Sequence, residues 1–456
     1  MNKKRLLPCS LLSLTATLFC LSLFILFKLL PDEEHVPSSS GLESAYGVED
    51  IDYGQMLVKG ISGKREFHSS NISELITRYP LILWWNPLTG KQTKVKSCDG
   101  KTKCVFMANR EYQHHPQTKV FLFYGTDFNK DDLPLPRAAS HQWALFHEES
   151  PKNNYILTQE EVITLFNHTA TFRRTSDYPL TTQYLRKLED LTSNEFLVPL
   201  SQKKQMGLAP LVYIHSDCNP PSDRDTFVAE LMKYIPVDSY GRCLHNKDLP
   251  HRIRKQDFMD DKELYKILAK YRFTISIENA ICDDYITEKL WRPLSLGTVP
   301  VYRGSPSIRE WLPANNSVIL IDDFKSAKEL AEYLQYLLEN EGEYEKYFEF
   351  RKSGIKNERL KKAMQRREWG VNDFEKINFI TGFECFVCNR VYENLKRKQL
   401  GQKELSYLAR SDHLSCPRPQ SFGLSGNHNK IQLYELLFNK SVKDAVEVKK
   451  KVNDRI

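Results

Sequence analysis

Strong charge of one sign is missing from this 456-residue chain. Its net charge is +7, from 65 Lys+Arg against 58 Asp+Glu, well short of the basic excess that nucleic-acid binding leaves on a sequence. No internal repeat runs through it, which removes solenoid and propeller arrays. Paired zinc motifs are missing too. Cys385-Phe-Val-Cys388 stands without a second CxxC or a spaced His pair, so a disulfide suits it better than zinc. No small-residue cleavage site follows the first apolar run, and no KDEL-type signal is present. What remains is the composition of a folded protein, 41% hydrophobic and 27% charged. The length exceeds one ordinary core, so two globular domains with appendages are expected.

Lys3, Lys4 and Arg5 precede an uncharged run from Leu6 to Phe27 that Lys28 closes. That run is long enough to span a bilayer, with its basic flank held in the cytoplasm. Residues 1–5 therefore read as a cytoplasmic tail and 6–30 as a transmembrane signal anchor of single-pass type II topology. The chain after about Pro31 is then lumenal, and a cleaved signal peptide is the alternative. Cys9 and Cys20 fall in the anchor. Outside it lie Cys98, Cys104, Cys218, Cys243, Cys282, Cys385, Cys388 and Cys416, an even set that an oxidising compartment would pair. Asn71, Asn167, Asn315 and Asn439 head Asn-x-Ser/Thr sequons and are candidate N-glycosylation sites.

Residues 31–75 are polar and weakly patterned, as in a stem. Residues 76–205 carry short strand-like runs at Leu81–Trp85, Lys119–Tyr124, Trp143–His147 and Val162–Phe166. From about residue 206 to 395 strands alternate with helices. Strands are expected at Leu211–His215, Phe273–Ile277, Val299–Tyr302 and Val318–Ile321. Helices are expected at Asp225–Ile235, Asp261–Tyr271, Thr287–Leu296 and Ser326–Glu339. That alternation implies a parallel sheet covered by helices, which binds ligands at the carboxyl ends of its strands. Residues 396–456 are basic and weakly patterned, a tail expected to be partly disordered.

The chemistry-bearing residues are densest between Phe273 and Pro306. Ile277-Glu278-Asn279 ends a strand, and Asp284-Tyr-Ile-Thr-Glu-Lys289 enters a helix near Thr287. The helix terminus offers unpaired N–H groups and the positive end of a dipole, which suits a diphosphate. Lys289 opposes that dipole unless an anion binds there, and Glu288 can accept hydrogen bonds from sugar hydroxyls. The plainer reading is a capping Thr287 followed by solvated charges.

Glu278-Asn279, Asp284-Tyr-Ile-Thr-Glu-Lys289, Gly297-Thr-Val-Pro-Val301 and Gly304-Ser-Pro306 closely resemble the donor motif of the α1,3-fucosyltransferases, glycosyltransferase family ten. The resemblance covers roughly residues 81 to 388. Trp84-Trp85-Asn-Pro-Leu-Thr-Gly90, Phe123-Tyr-Gly-Thr-Asp127 and His147-Glu-Glu-Ser-Pro-Lys-Asn-Asn154 are most similar to the divergent branch containing fucosyltransferases ten and eleven. The resemblance implies an α/β fold of two Rossmann-like domains facing across a cleft (GT-B type), the acceptor on the first and GDP-fucose on the second. It implies Glu149 as the catalytic base, and Ser216, Asp217, Arg224, Asn279, Tyr285, Glu288 and Lys289 as donor-binding residues. Such a site performs single displacement with inversion, the base taking the acceptor's proton and the cations stabilising the departing GDP without a metal. No cofactor is implied beyond GDP-fucose as donor. The resemblance also implies that Cys98 and Cys104 bond to Cys385 and Cys388. Cys218 and Cys243 follow neighbouring expected strands and are proposed to pair, which leaves Cys282 for Cys416.

Departures from the family pattern bear on the acceptor. A cysteine pair of Lewis-type members is replaced by Val212 and Tyr271, a donor-contacting tyrosine by Thr274, and an acceptor-side tyrosine by Thr182. The acceptor is either GlcNAc of a glycan or, as the branch implies, Ser/Thr of a disulfide-rich secreted domain such as the elastin-microfibril-interface (EMI) type. The branch favours the endoplasmic reticulum membrane, with the Golgi membrane as alternative. Two rivals stand against this reading. One is a metal-dependent transferase using Asp223-Arg224-Asp225, although Pro220-Pro221-Ser222 intervenes and capping explains those acids better. The other is a non-catalytic lumenal glycan-binding protein that has kept a nucleotide-sugar fold.

Overall fold

The computed structural model describes residues 72–88, 93–218, 220–250, 253, 261–371, 376–420, 422 and 429–455. The anchor at 6–30, nearly all of the stem, and Asn71 lie outside them. Among the described residues no helix is long and apolar enough to cross a membrane.

The first sheet is built from β1 (Leu81–Asn86), β2 (Lys94–Cys98), β3 (Thr102–Met107), β4 (Thr118–Tyr124), β5 (Gln142–His147) and β6 (His168–Thr171). Its order is β2-β3-β1-β4-β5-β6, parallel except for β2 at the edge, which runs antiparallel to β3. The central strands are near-continuous apolar runs because both faces are covered. The run Val162–Phe166 departs from expectation. Part of it lies in a short helix, α1 (Glu160–Ile163), and the strand follows at the His168–Thr171 segment. A short apolar run has no period that separates helix from strand, and Gln159-Glu160-Glu161 ahead of it favours a helix start.

The second sheet contains β7 (Leu211–Tyr213), β8 (Val237–Ser239), β9 (Phe273–Ile277), β10 (Val299–Arg303) and β11 (Ile319–Leu320). It is parallel throughout, in the order β11-β10-β9-β7-β8. Between and beside these strands lie α2 (Leu200–Gln205), α3 (Arg224–Leu231), α4 (Lys262–Leu268), α5 (Glu288–Leu296) and α6 (Ala327–Glu339). Where the Lewis-type cysteine pair is replaced, the Tyr271 hydroxyl donates to Asp238 Oδ2 at 2.6 Å and lies 2.7 Å from the Tyr240 hydroxyl. A polar tie thus links β8 to the chain entering β9.

The chain then returns to the first sheet. Helix α7 (Phe379–Gln399) packs Phe379, Ile380, Phe383 and Val387 with Ile82, Trp84, Leu122 and Phe146. A boundary at residue 395 therefore cuts a helix that belongs with the first sheet. The tail also departs from expectation, because residues 429–453 form α8, with Ala445, Val448 and Val452 in the core beside Trp143 and Phe166. Its weak pattern reflects a helix whose buried stripe is narrow while the rest carries lysines. Disulfides join Cys98 to Cys385, Cys104 to Cys388, Cys218 to Cys243 and Cys282 to Cys416. The first two close sequence separations of 287 and 284 residues, for which chain entropy assigns on the order of 4–5 kcal/mol to a single cross-link.

One buried carboxylate fastens the loop after β6 to the loop before α5. Asp284, 1% exposed, accepts from the Arg174 backbone N–H at 3.1 Å and Nε at 2.8 Å, from Trp311 Nε1 at 3.1 Å and from Ser307 Oγ at 3.1 Å. Burial alone would raise its pKa, but the hydrogen bonds and charge of Arg174 outweigh it and hold the carboxyl below its ordinary value. Such a depressed acid contributes stability that is complete above its unfolded pKa and is lost as pH falls through the folded one. Asp284 has φ +65, which Asn tolerates, so Asp284→Asn removes the charge without straining the backbone. That variant should lose about 3 kcal/mol at pH 7, as broken buried ion pairs do, and the deficit should narrow at pH 3. Chemical denaturation at both pH values checks it, and a deficit independent of pH would refute the charge assignment.

Candidate active site

Three chain segments meet at the carboxyl ends of the two sheets. From the first sheet, β5 ends at His147 and delivers Glu148 and Glu149. Ser150 then caps a short turn by accepting from Lys152 N–H. Glu149 is half-buried, and the Ser150 N–H reaches its Oε2 at 3.3 Å. The Tyr184 hydroxyl stands 3.5 Å from its Oε1. Glu148 is buried beside it, with the Tyr124 hydroxyl 3.4 Å from Oε1 and no hydrogen-bond partner for Oε2.

From the second sheet, the turn from β9 to α5 is organised by Glu278, which is fully buried. Its two oxygens accept from the Thr287 N–H at 2.8 Å and the Thr287 hydroxyl at 2.7 Å. Gly304 must be glycine, because a Cβ there would strike the Glu278 side chain and the Tyr302 hydroxyl. Thr287 in turn caps α5 through the Lys289 N–H. Lys289 Nζ lies 3.0 Å from Glu288 Oε1, 3.2 Å from the Thr287 hydroxyl and 3.8 Å from Glu278 Oε2. The Tyr285 ring packs edge-on against Phe172 at 5.1 Å, and the fields of Glu149, Glu278, Glu288 and Arg224 all act on its phenol.

The third segment is the turn from β7 to α3. Arg224, 1% exposed, donates to the backbone oxygens of Ile277 and Asp217 and to Asn279 Oδ1. Asp217 also pairs with Lys152 from the first sheet at 2.6 Å. Ser216 is exposed, and its carbonyl accepts from the Cys218 sulfur. Of the expected site residues, Glu149, Asp217, Arg224, Asn279, Tyr285, Glu288 and Lys289 are thus brought together, with Ser216 at the rim. Asp223 and Asp225 do not cap α3. Asp225 accepts from the Tyr213 hydroxyl at 2.7 Å, and Asp223 from the Phe422 N–H at 3.2 Å, which corrects the capping assignment. Among the described residues no group of three His, Cys, Asp or Glu side chains could hold a metal ion.

The electrostatics separate the four carboxyls. Burial and the neighbouring Glu149 push Glu148 up to about 8, so at neutral pH it carries the proton of that pair. Burial also raises Glu149, against the pull of Lys289. Burial raises Glu278 to about 7. Burial pushes Glu288 the same way, but the charges of Lys289 and Arg292 outweigh it and bring it down to about 2. Glu288 is therefore a fixed anion, whereas Glu149 is shifted the other way, toward holding its proton more readily than an ordinary carboxyl.

Nothing in the sequence marked Tyr184 and Lys152 as residues that would stand beside Glu149. Tyr184 stands two residues after Thr182, where the family tyrosine was sought, and Thr182 is itself buried with its carbonyl bound by Arg367. Among the sequons, Asn315 is exposed, and Asn439 is exposed with Oδ1 bound by Arg418. The carboxamide of Asn167 is consumed internally. Its Oδ1 accepts from Arg137 Nη2 at 2.7 Å and the Trp143 N–H at 2.8 Å, and its Nδ2 donates to the Tyr407 carbonyl at 2.9 Å.

Comparison with known proteins places this geometry. Residues 77–184 match the family model described as "Fucosyltransferase, N-terminal", and residues 200–406 match "Glycosyltransferase family 10 (fucosyltransferase) C-term". A GDP-fucose protein O-fucosyltransferase 3 of Gallus gallus is 49% identical over 98% of this chain and 94% of its own length. One of Homo sapiens is 54% identical over 76% of this chain and 73% of its own. A crystal structure of an alpha1,3-fucosyltransferase with GDP covers 73% of this chain and 94% of its own, at 14% identity and a TM-score of 0.40. On the extent and identity of the sequence matches, the chain belongs to glycosyltransferase family 10, the fucosyltransferases.

Proposed function

We propose that this protein transfers L-fucose from GDP-fucose to a Ser or Thr hydroxyl of a disulfide-rich secreted domain, such as an EMI domain, with inversion at the sugar. The observation that carries the chemistry is the convergence of Glu149 from the first sheet on Lys289 and Glu288 from the second. The names borne by the relatives, protein O-fucosyltransferases, favour a protein hydroxyl over GlcNAc of a glycan. The two sheets act as the acceptor and donor halves of a GT-B cleft, with residues 76–205 supplying the base and 206–378 the donor site.

In this reading Glu149 takes the proton of the acceptor hydroxyl as its oxygen bonds to fucose C1. The bond from C1 to the diphosphate oxygen breaks, and its electron pair leaves with GDP. Lys289, Arg224 and the start of α5 hold the departing charge. Glu288, ionised under all working conditions, holds fucose hydroxyls as positive charge develops on the ring. Ser216, Asp217, Asn279 and Tyr285 complete the donor site. The protonated Glu148 spares Glu149 a second negative neighbour. With Asp223 and Asp225 engaged by Phe422 and Tyr213, donor binding is assigned to the cations rather than to a metal.

Mass spectrometry of products from the lumenal portion, offered GDP-fucose with a folded EMI domain and with a GlcNAc-terminated glycan, should show fucose on the protein hydroxyl. Transfer to the glycan alone would reverse the acceptor assignment. Glu149→Gln should lower kcat by roughly two orders of magnitude or more and leave GDP affinity unchanged. Activity of the parent should rise with pH through a carboxyl pKa above the ordinary value, the direction of the Glu149 shift, and the residual activity of the variant should lack that limb. Lys289→Ala should weaken GDP-fucose binding by about 1.5–3 kcal/mol, the worth of a charge-assisted hydrogen bond, in excess EDTA as in its absence. Activity that EDTA abolishes and Mn²⁺ restores would sink the cation-only site.

The run at residues 6–30 is proposed as the anchor of a type II protein of the endoplasmic reticulum membrane, with the cleft in the lumen. In secreting cells Asn315 should then carry a glycan removable by an endoglycosidase, and Asn167 should carry none because its carboxamide is built into the core. Peptide mapping before and after deglycosylation decides both, and an unmodified Asn315 would count against the lumenal address.

A further inference from the structure

The residues beyond 406 lie outside the family-model matches, yet they run directly past the donor half. Leu414 sits in the core of the first sheet, and Cys416 is bonded to Cys282, two residues before Asp284. Phe422 then meets the start of α3. Its ring stacks on Phe227 at 4.5 Å and 24°, and the Arg303 guanidinium covers its other region at 3.8 Å from the centroid. Its N–H donates to Asp223 Oδ2 at 3.2 Å. Helix α8 brings the chain back, with Phe438 against Tyr155 at 5.8 Å and the Ser441 hydroxyl 3.2 Å from Gln159 Nε2.

This path matters because of what Asp223 is. It stands at φ +54, left-handed backbone that Asp adopts more readily than most side chains, and its carboxylate makes no capping bond to α3. A free carboxylate at that point would take the helix N–H groups that an anion needs. Bound to the Phe422 N–H, it is turned toward the tail. The next residue is Arg224, whose buried Nε has no hydrogen-bond partner among the described residues, as is true of the Ser222 hydroxyl two residues before it. Two buried polar groups without partners, beside a helix terminus kept clear of its own carboxylate, leave hydrogen-bonding capacity that an anion can take up.

We infer that the C-terminal tail is a working part of the donor site, in which Phe422 is a positioning residue that holds Asp223 away from α3 and so aims Arg224 at the donor diphosphate. Tyr434 supports the same placement from α8. The fields of Asp217 and Arg224 act on its phenol, which burial pushes above its ordinary pKa. The inference rests on the donor assignment of the preceding section.

Phe422→Ala in the full chain should raise KM for GDP-fucose about tenfold while kcat stays within about twofold, the pattern of lost uniform binding. Phe422→Tyr, which keeps the stack and the backbone amide in place, should restore the parent KM. Calorimetric titration with GDP alone gives the same comparison without turnover. An unchanged KM and GDP affinity in Phe422→Ala would overturn the inference. So would equal losses in the Ala and Tyr variants, or a fall in kcat without a change in KM. If the parent binds GDP but transfers no fucose, the functional reading fails, and the GDP titration of Phe422→Ala still decides the role of the tail.

Discussion

The ion pair between Arg174 and Asp284 is the buried contact that ties the loop after β6 to the turn that leads into α5. Asp284 is buried at a left-handed turn, and such a carboxylate is tolerable only because an arginine, an indole N–H, a hydroxyl and a backbone amide all reach it. It lies four residues before Glu288, so its position sets where α5 begins. Arg174 lies three residues after β6 and is therefore carried by the first sheet. Moving one sheet relative to the other would strip Asp284 of its partner, which is expensive in so dry a place. The neighbouring Cys282–Cys416 bond fixes the same turn covalently from a third direction.

Around that fixed point the site divides its charges by environment rather than by residue type. Glu148, Glu149, Glu278 and Glu288 have the same carboxyl group, yet only Glu288 is pulled far down, because only it has Lys289 and Arg292 close enough to outweigh burial. Glu278 spends both oxygens on Thr287, so it organises the helix start and has little capacity left for a ligand. Glu149 keeps a loosely held carboxylate, with a 3.5 Å approach from Tyr184 and a 3.3 Å approach from a backbone amide. Loosely satisfied acids with raised pKa values are suited to proton exchange, and tightly satisfied ones to structure.

Much of this was legible in the sequence because the residues concerned obey local rules. The strand at Phe273–Ile277 was read to the residue, since Phe273, Ile275 and Ile277 alternate with Thr274 and Ser276 at the strand period. The start of α5 was visible in Thr287 and the charges after it. Val162–Phe166 was misread because four apolar residues around Thr164 carry no usable period, and its fate depends on how it packs rather than on its own pattern. The tail was misread for the opposite reason. Helix α8 exposes Leu436 and Val446 and carries lysines between its buried positions, so its burial against the first sheet leaves only a thin trace. Tyr184 escaped because nothing in its local sequence marks it, and its approach to Glu149 depends on how two distant segments pack.

The exchange of partners at Lys289 ties these features to chemistry. In the structure its ammonium is held by Glu288, by the Thr287 hydroxyl and, more distantly, by Glu278. A cation at a helix start is electrostatically unfavourable on its own, and the two glutamates offset that cost. A donor diphosphate brings more negative charge than Glu288 and has the helix N–H groups to bind as well, so it can draw the ammonium away. Glu288 would then turn both oxygens to the sugar while remaining ionised, because Arg292 still contributes to its low pKa. In the proposed reaction, the displacement that seats the diphosphate would free the carboxylate assigned to the fucose ring, leaving Glu149 to meet the acceptor hydroxyl.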